Sequence, residues 1–520
     1  MRALFVAAKT VTLRKTVCLA LLAGALQACA IAWPFDYLFA TGEPVWWLQI
    51  GAMALWLHSL RQAHSAHHSF LSGWCFATSW LACTFWWLYV AMHTYGGLPG
   101  VLSLLALLGL AMALALYYAI ASRCHAWLGA RASFLQAASF PALWTLAELA
   151  RGTWLTGFGW GAIGYAQLDG PLAAALPWLG VYGVGALAAW LASLVAALLA
   201  TRPRQRVMRG FTLTAALLAA FWLGDTQSFT KPHGALVVAL LQGNIAQDQK
   251  FEAGSGVPTA LAWYAQAMQS APASLVVAPE TAIPLLPQDL PAGYWDRLAA
   301  PFSHGDRALL TGIPLGDATR GYRNAVLGLR PNADQPWQYS KHHLVPFGEF
   351  IPTGFRWFTR LMHIPLGDFT RGALGQPAFD WQGQRLGANV CYEDLYGEEL
   401  GVRFLDDERA PTAFVNLSNL GWFGATVALD QHLQIARARA LEFERPVVNA
   451  TNTGYSALID YRGRVTARIA GQTRGMLQGT VEGRVGTTPY AWWVARFGLA
   501  PLWFCGVALL ALQAWRRSKV

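Results

Sequence analysis

The segment Leu386–Asp394 reads L-G-A-N-V-C-Y-E-D and carries the one cysteine of a long, comparatively polar region. The apolar run that ends at Val390 predicts a buried strand. Glu393 and Asp394 directly follow Cys391 and predict the first turn of a helix, because free N–H groups at a helix N-terminus carry partial positive charge. The same field would favour the thiolate form of Cys391. A small buried hydrophobe is the alternative role for this cysteine, and the segment alone favours it.

The region around this segment predicts a layered α/β domain. Helical patterns lie at 257–270 and 428–443. Short Val/Leu/Ala-rich runs, bounded by Gly, Pro or Asn, alternate with them and are typical of buried strands. The predicted strands are 235–242, 274–278, 308–313, 385–391, 412–417 and 446–450. Strands and helices mixed in this way indicate a covered sheet around one core.

The composition indicates that another part of the chain contacts lipid. The 520 residues are 55% hydrophobic and 13% charged, whereas soluble proteins carry roughly 25% charged residues. The net charge is +10, and much of the basic charge flanks apolar segments. This distribution is a signal of membrane topology. No basic groove with interleaved aromatic residues is visible, so we expect no nucleic-acid partner. No C-x-x-C pair or zinc-spaced His/Cys cluster occurs, so we expect no metal.

Apolar segments predict a polytopic membrane domain with about eight spans. They lie at 16–33, 43–60, 69–93, 99–122, 134–150, 174–200, 209–224 and 492–515. Each approaches or exceeds the roughly 20 residues that cross a bilayer. With a cytoplasmic N-terminus, the short loops on the opposite side hold only one basic residue, Arg151, which is a strong positive-inside asymmetry.

This topology predicts three parts of the chain. Residues 1–224 form a membrane domain of about seven helices, and 225–491 form the α/β domain on the outer side. Residues 492–520 form a last span and a basic cytoplasmic tail.

Three reactive side chains end or closely follow predicted strands in the α/β region. Glu280 follows a buried run and is framed by two prolines, Lys341 precedes an apolar run that ends on Glu349, and Cys391 is the third. Taken singly, Glu280 fits a structural acid at a turn and Lys341 fits a solvated lysine.

Together the three side chains supply the groups that acyl transfer through a thioester needs. The glutamate would act as general base, the lysine would stabilise the thiolate and the oxyanion, and the cysteine would hold the acyl group as a thioester. Histidines at 342, 343 and 432 are alternative bases. Spacing alone does not choose between them.

The motifs around these residues resemble the nitrilase superfamily. They read Pro-Glu-Thr-Ala at 279–282, Lys-His-His-Leu-Val-Pro-Phe-Gly-Glu at 341–349 and Cys-Tyr-Glu-Asp at 391–394. Further matching stretches lie at 242–245, 416–419, 421–424, 431–432 and 451–454. With a multi-span part ahead of the domain and one helix after it, the chain is similar to the apolipoprotein N-acyltransferase family over nearly its whole length.

The resemblance implies a nitrilase-like α-β-β-α sandwich facing the periplasm of a bacterial inner membrane. It implies that an acyl chain moves from a phospholipid, typically phosphatidylethanolamine, to Cys391. The chain then passes to the α-amine of the diacylglyceryl-cysteine that begins an apolipoprotein, with ping-pong kinetics. We expect Glu280, Lys341 and Cys391 to be catalytic without a cofactor, in a monomer.

Other site residues follow from the same resemblance. Glu349 and Glu393 would assist the reaction, and Tyr392 would line the site. The chain departs from the family pattern at Leu420, Asn449 and Phe251, which affects substrate positioning and leaves the Glu–Lys–Cys set intact.

Two further segments carry hypotheses about lipid. The stretch 353–370 predicts a mobile lid at the membrane interface, with core packing as the alternative. The residues of this lid are Trp357, Phe358, Leu361 and Met362. The loop 151–166, rich in Gly and Trp, could shape a headgroup entrance, although these residues also serve helix packing.

Two other functions use the same sequence differently. A membrane-tethered amidase would use the same three residues with water as acceptor, but it leaves the apolar spans and the lid without a purpose. A transporter with an outer sensor domain would need ionisable residues within the spans, where Glu148 is the main candidate.

Overall fold

The N-terminal part of the chain is helical. The structure, a computed structural model, describes residues 13–61, 65–128, 134–200, 203–226, 228–352, 354 and 369–518. The helices of this part are α1 (Leu13–Cys29), α2 (Trp46–Leu60), α3 (Ala66–Thr84), α4 (Trp87–Val90), α5 (Gly100–Leu128), α6 (Phe134–Thr153), α7 (Leu176–Ala200) and α8 (Pro203–Thr226). Every apolar segment predicted before residue 225 falls on one or two of these helices.

The C-terminal half contains two six-stranded sheets. The strands are β1 (Lys231–Gln242), β2 (Leu275–Val277), β3 (Ala308–Asp317), β4 (Gly321–Leu329), β5 (Trp337–Ser340), β6 (Phe379–Trp381), β7 (Gln384–Val390), β8 (Ala413–Ser418), β9 (Val447–Thr451), β10 (Ala457–Ile459), β11 (Val465–Arg468) and β12 (Gly475–Val485). Their orders are β12-β1-β2-β3-β4-β5 and β11-β10-β9-β8-β7-β6. Each sheet has a parallel centre, formed by β1, β2 and β3 in the first and by β7, β8 and β9 in the second.

The two sheets pack face to face, and helices cover their outer faces. In β2, Leu275 and Val277 enter the core between the sheets, while Val276 enters the core under the helices. This alternation follows the two-residue period of a strand. The covering helices are α9 (Gly256–Ser270), α10 (Tyr294–Ser303), α11 (Gly397–Gly401), α12 (Ala428–Phe443) and α13 (Pro489–Phe497). The expected nitrilase-like sandwich is therefore confirmed.

The six predicted strands coincide with the parallel centres of the sheets. Strands buried on both faces read as continuous apolar runs, which is the pattern that the sequence shows. Two of the outer strands, β11 and β12, were missed because they alternate exposed and partly buried residues. In β12, for example, exposed and partly buried positions alternate over the first six residues.

Two of the predicted spans are bent helix pairs. The predicted segment 69–93 is split into α3 and the stretch Trp87–Tyr95, with a bend of 54°, and the last segment is split into α13 and α14 (Ala500–Ser518), with a bend of 87°. By length and apolar character alone, Gly100–Leu128 and Pro171–Leu199 could each cross a membrane. The number rises to four if each bent pair is one span. Eight spans therefore stay a prediction.

Helix α12 joins the two halves of the molecule. Ala436 and Ala440 pack towards the second sheet, whereas Ile435 and Ala438 belong to the core of the N-terminal helices. Polar contacts reinforce this packing, because Gln431 Oε1 accepts hydrogen bonds from two tryptophan indoles of the N-terminal part, at 3.0 and 2.7 Å. A helix that is buried on both sides fixes the sandwich against the helical part.

Candidate active site

The cysteine lies on a strained turn at the end of β7. Cys391 has a φ of +53°, a region that non-glycine residues seldom adopt and that costs of order 1–3 kcal/mol. A 3₁₀ turn, Cys391–Leu395, follows, and the first regular α-helix begins only at Gly397. The carbonyl of Cys391 accepts a hydrogen bond of 3.0 Å from Asn416 Nδ2. The turn thus presents the thiol at the end of the parallel strands.

Glu393 ties this turn to the segment that carries the lysine. Its carboxylate accepts hydrogen bonds from the amides of Val390 at 2.6 Å, His342 at 2.7 Å and His343 at 3.1 Å. The Tyr339 hydroxyl lies 2.8 Å from both carboxylate oxygens. Burial raises the pKa of Glu393. With these contacts in place, Glu393 acts as a clamp between two segments and not as a free base.

Glu280, Lys341 and Glu349 form one buried cluster. Lys341 Nζ lies 3.0 Å from Glu349 Oε1 and 3.4 Å from Glu280 Oε1. Asn324 Nδ2 donates to the same two oxygens, at 2.6 Å for Glu280 and 2.7 Å for Glu349. The other oxygen of Glu280 accepts from the backbone amide of Asn419 at 2.9 Å. Three donors therefore fix the glutamate, two at Oε1 and one at Oε2.

The pKa of the thiol is opposite to the sequence-based expectation. Burial raises the pKa of Cys391, and the negative charge of Glu280 raises it further, while Lys341 and the amide of Asn419 act in the lowering direction. The resting group is therefore the thiol. Burial alone would lower the pKa of Lys341, but the charges of Glu349 and Glu280 raise it, so this side chain stays an ammonium ion. This arrangement calls for a base that removes the proton as the sulfur attacks.

The three histidines that the sequence leaves open as bases have other partners. His342 Nδ1 lies 2.9 Å from a backbone carbonyl. His343 lies between Glu399 Oε1, at 2.8 Å from its Nδ1, and the carbonyl of Thr156, at 3.0 Å from its Nε2. His432 lies 3.3 Å from a serine hydroxyl through Nε2, and burial lowers its pKa to about 4. The charge of Glu280 acts on the thiol of Cys391, so these two side chains are electrostatic neighbours.

Tyr392 connects the turn Cys391–Leu395, called the nucleophile turn below, to the N-terminal part of the chain. Its hydroxyl and that of Tyr396 lie 2.6 Å apart, and each donates to the carbonyl of Gly157 at 3.1 Å. Gly157 ends a short turn in which Leu155 and Thr156 also have positive φ values, of 55° and 77°. A strained loop from the helical part thus contacts the residue next to the cysteine.

Arg151 anchors this loop from inside the helical part. Its guanidinium donates to the carbonyls of Phe158 and Trp160, at 2.6 and 2.7 Å, and to the Tyr118 hydroxyl at 2.8 Å. The residue is only 1% exposed. Arg151 therefore fixes the loop from inside the helical part, and the role of the loop 151–166 at a headgroup entrance stays a prediction.

Sequence reasoning missed two residues of this site. Asn324 lies within β4, in a segment that contains none of the motifs quoted for the family. Lys250 is 1% exposed and donates to the backbone carbonyl of Glu280 at 3.1 Å. Lys250 is adjacent to Phe251, where the chain departs from the family pattern. That departure was the sequence signal that could have drawn attention to Lys250.

The remaining candidates are distributed as follows. The predicted lid residues Trp357, Phe358, Leu361 and Met362 lie outside the described residues. Leu420 is buried and Phe251 is 49% exposed. Asn449 donates from Nδ2 to the carbonyl of Tyr455 at 2.9 Å.

Comparisons with known proteins match both halves of the chain. Residues 23–194 match the family described as the apolipoprotein N-acyltransferase N-terminal domain, and residues 237–490 match the carbon-nitrogen hydrolase family. A relative from Verminephrobacter eiseniae named apolipoprotein N-acyltransferase is 53% identical, with 92% of each chain covered. A relative from Ralstonia nicotianae with the same name is 43% identical, covering 91% of this chain and 90% of its own.

A solved carbon-nitrogen hydrolase from Helicobacter pylori is also similar. It is 18% identical, covers 52% of this chain and 94% of its own, and has a TM-score of 0.36.

Proposed function

Because the chain belongs to the apolipoprotein N-acyltransferase family, which N-acylates lipoproteins, we propose that it acts by a Glu280–Lys341–Cys391 mechanism. The observation that carries this proposal is the buried cluster around Lys341 Nζ, whose charges act on the thiol of Cys391 on its strained turn. The donor would be a phospholipid, typically phosphatidylethanolamine, and the acceptor the diacylglyceryl-cysteine of an apolipoprotein.

In the first half-reaction the cysteine becomes acylated. Glu280 takes the thiol proton as the Cys391 sulfur attacks the ester carbonyl of the phospholipid, and the Lys341 ammonium stabilises the oxyanion. The carbon–oxygen bond then breaks. The lysophospholipid oxygen leaves with the proton that Glu280 returns, and the acyl group remains as a thioester on Cys391.

In the second half-reaction the acyl group passes to nitrogen. The α-amine of the lipoprotein attacks the thioester, Glu280 takes a proton from the nitrogen, and the carbon–sulfur bond breaks. The thiolate recovers a proton from Glu280, which restores the starting state. Both steps balance with these side chains and two substrates, so the mechanism calls for no cofactor and predicts ping-pong kinetics.

The other site residues support this set. Glu349 would keep the ammonium group in place through its 3.0 Å contact with Lys341. Glu393 would keep the lysine segment and the nucleophile turn in register, as its contacts with both indicate. Tyr392 would support the turn from the side of the N-terminal helices.

We place the molecule in the bacterial inner membrane as a monomer with about eight spans. Residues 1–224 would form the membrane domain, 225–491 the periplasmic catalytic domain and 492–520 the last span with its basic tail. The helices found at each predicted segment support this arrangement, as does the positive charge expected on the cytoplasmic side. The aromatic lid at 353–370 remains a hypothesis for lipid entry.

Acylation without an acceptor tests the proposal. Purified protein in detergent is incubated with a phospholipid bearing a labelled acyl chain, and intact mass is measured before and after hydroxylamine treatment. We expect a hydroxylamine-labile adduct that is absent in Cys391→Ser and that a diacylglyceryl lipopeptide discharges. Steady hydrolysis of small amides without any adduct would contradict the proposal and favour a tethered amidase.

A further inference from the structure

A second buried lysine lies beside the proposed base. Lys250 Nζ donates to the backbone carbonyl of Glu280 at 3.1 Å and to Thr281 Oγ1 at 2.6 Å. The residue is 1% exposed, and lysine is almost never fully buried unless it is paired. Among the described residues, no carboxylate lies within ion-pair distance of it. Its direct partners are therefore the backbone and the hydroxyl of one turn.

This turn is strained and tightly seated. Thr281 has a φ of +47°, which is costly for a β-branched residue. On the other side of the turn lies Gly312 of β3, where an added Cβ would be 2.5 Å from the amide of Thr281 and 2.6 Å from the Cα of Glu280. The backbone of the turn is thus enclosed by the sheet and by the lysine. Asn324, Lys341 and Asn419 hold the carboxylate of Glu280, and Lys250 adds two polar contacts to the turn that carries it.

The charge balance of the cluster gives the lysine a second role. The carboxylates of Glu280, Glu349 and Glu393 all act as negative charges on the Lys341 ammonium, so the buried site would hold an excess of negative charge without Lys250. The ammonium of Lys250 offsets part of that excess. A buried charge without compensation is costly, so the cluster is most stable when both lysines are charged.

We infer that Lys250 is a positioning residue for the acylation step, which fixes the Glu280–Thr281 turn and whose positive charge is required while the thiolate of Cys391 forms. This inference rests on the proposed function, because it assigns a role within the same reaction. It adds a residue to the site that acts through the base and does not contact the substrate.

The role predicts a distinctive dependence on pH. Burial lowers the pKa of Lys250 to about 8, while the charges of Glu280 and Cys391 act in the raising direction. These two groups, on the turns after β2 and β7, are the titratable partners that interact with it. The ammonium is therefore lost as the pH rises through about 8, and acylation should slow there. Ionisation of the thiol by itself would have the opposite effect, because it would make the rate rise with pH.

The experiment measures the first half-reaction alone. Formation of the labelled thioester on Cys391 is followed in single turnover from neutral to alkaline pH, without an amine acceptor. The variants are Lys250→Met, which keeps the aliphatic stem, Lys250→Arg, which keeps the charge, and Thr281→Val, which removes one contact. Lys231→Met, at an exposed lysine of β1, is the matched control.

We expect Lys250→Met to slow acylation about 100-fold, the order found when one charged or polar group is removed from a preorganised site. It should also abolish the alkaline fall. Lys250→Arg should recover part of the rate and remain active above the pH at which the wild type slows. Thr281→Val should slow the reaction less and keep the wild-type pH profile, and Lys231→Met should match the wild type.

Three outcomes would overturn the inference while the proposed function stands. One is a wild-type rate for Lys250→Met, and another is a slow Lys250→Met variant with the same alkaline fall as the wild type. If Lys250→Met does not fold, a wild-type rate for Thr281→Val overturns it instead. Failure of the wild type to form any thioester would refute the proposed function itself, which separates the two.

Discussion

The site has two walls that are built in different ways. The charged wall consists of Glu280, Lys341, Glu349 and Asn324, and its elements all belong to the α/β sandwich. The membrane-side wall consists of the loop 154–160, which comes from the helical part and reaches the nucleophile turn at Tyr392. The first is defined by short charged contacts, and the second by backbone carbonyls and aromatic packing.

The difference shows how the candidate site and the helical part of the chain are connected. The charged wall contains the glutamate and the lysine of the proposed Glu–Lys–Cys set. Asn324 lies on β4, and Glu280 and Lys341 closely follow the ends of β2 and β5. The membrane-side wall contributes no charged group to the reacting atoms, yet Tyr392 and Tyr396 belong to the same core as the N-terminal helices. The nucleophile turn is thus shared between the two matched domains, and we expect losses on the charged wall to exceed losses on the other.

The largest effect is expected from the charged wall at Glu280→Gln. The amide cannot take the thiol proton, so the rate of thioester formation should fall about 1,000-fold, within the range found for general-base removal. Single-turnover acylation measures this, with Glu252→Gln at an exposed glutamate as control. A variant that acylates at the wild-type rate would mean that another group is the base.

Asn324 tests whether the charged wall acts as an electrostatic unit. Asn324→Leu removes the donor shared by two carboxylates and should slow acylation about 100-fold. Asn324→Asp has nearly the same shape but adds a negative charge, so it should be slower still. Gln338→Leu, on the exposed side of the neighbouring strand β5, is the control. Equal losses in the leucine and aspartate variants would contradict the electrostatic role.

Arg151→Met tests the membrane-side wall. Loss of the two carbonyl contacts should loosen the loop and slow acylation about 10-fold, because misplacement remote from the chemistry has been found to cost up to 10²-fold. The loss should be equal with a phospholipid and with a soluble short-chain thioester donor, because the loop supports the nucleophile turn. Arg123→Met, at an exposed arginine of α5, is the control. A loss confined to the phospholipid donor would instead assign the loop to lipid entry.

The smallest effect on activity is expected where α12 contacts the N-terminal helices. A substitution there should act mainly on stability. Gln431→Leu leaves the indoles of Trp87 and Trp160 without their acceptor. It should lower the free energy of unfolding by about 1–3 kcal/mol, the cost of unsatisfied buried donors. Thermal unfolding in detergent measures this, with Gln478→Leu on the exposed side of β12 as control. An unchanged midpoint would show that apolar packing alone joins the halves.

Much of the fold could be predicted from the sequence. The parallel strands are apolar on both faces, so 412–417 predicts β8, and the helical period at 428–443 predicts α12 to the residue. The antiparallel edge strands could not be found in this way, because a half-exposed strand such as β11 resembles a polar loop. The bend within the last predicted span was missed as well, since hydropathy does not register a change of direction at Gly498.

The sequence by itself determined the chemical types of the site and their order along the chain. Glu280 and Cys391 are recognisable because each follows or ends an apolar run within a motif, and Lys341 because it begins a motif that contains one. Their motifs also carried the resemblance that identified the family, and neither inference needs coordinates.

Only the tertiary structure decided which groups contact each other and which charge each carries. Asn324 and Lys250 lie far along the chain from Glu280, and each reaches it only because strands and turns from separate segments meet at one edge of the sheet. The thiol's raised pKa depends on burial, which no local pattern encodes. The physical reason is that desolvation and hydrogen bonding depend on distance in space, whereas a sequence records only distance along the chain.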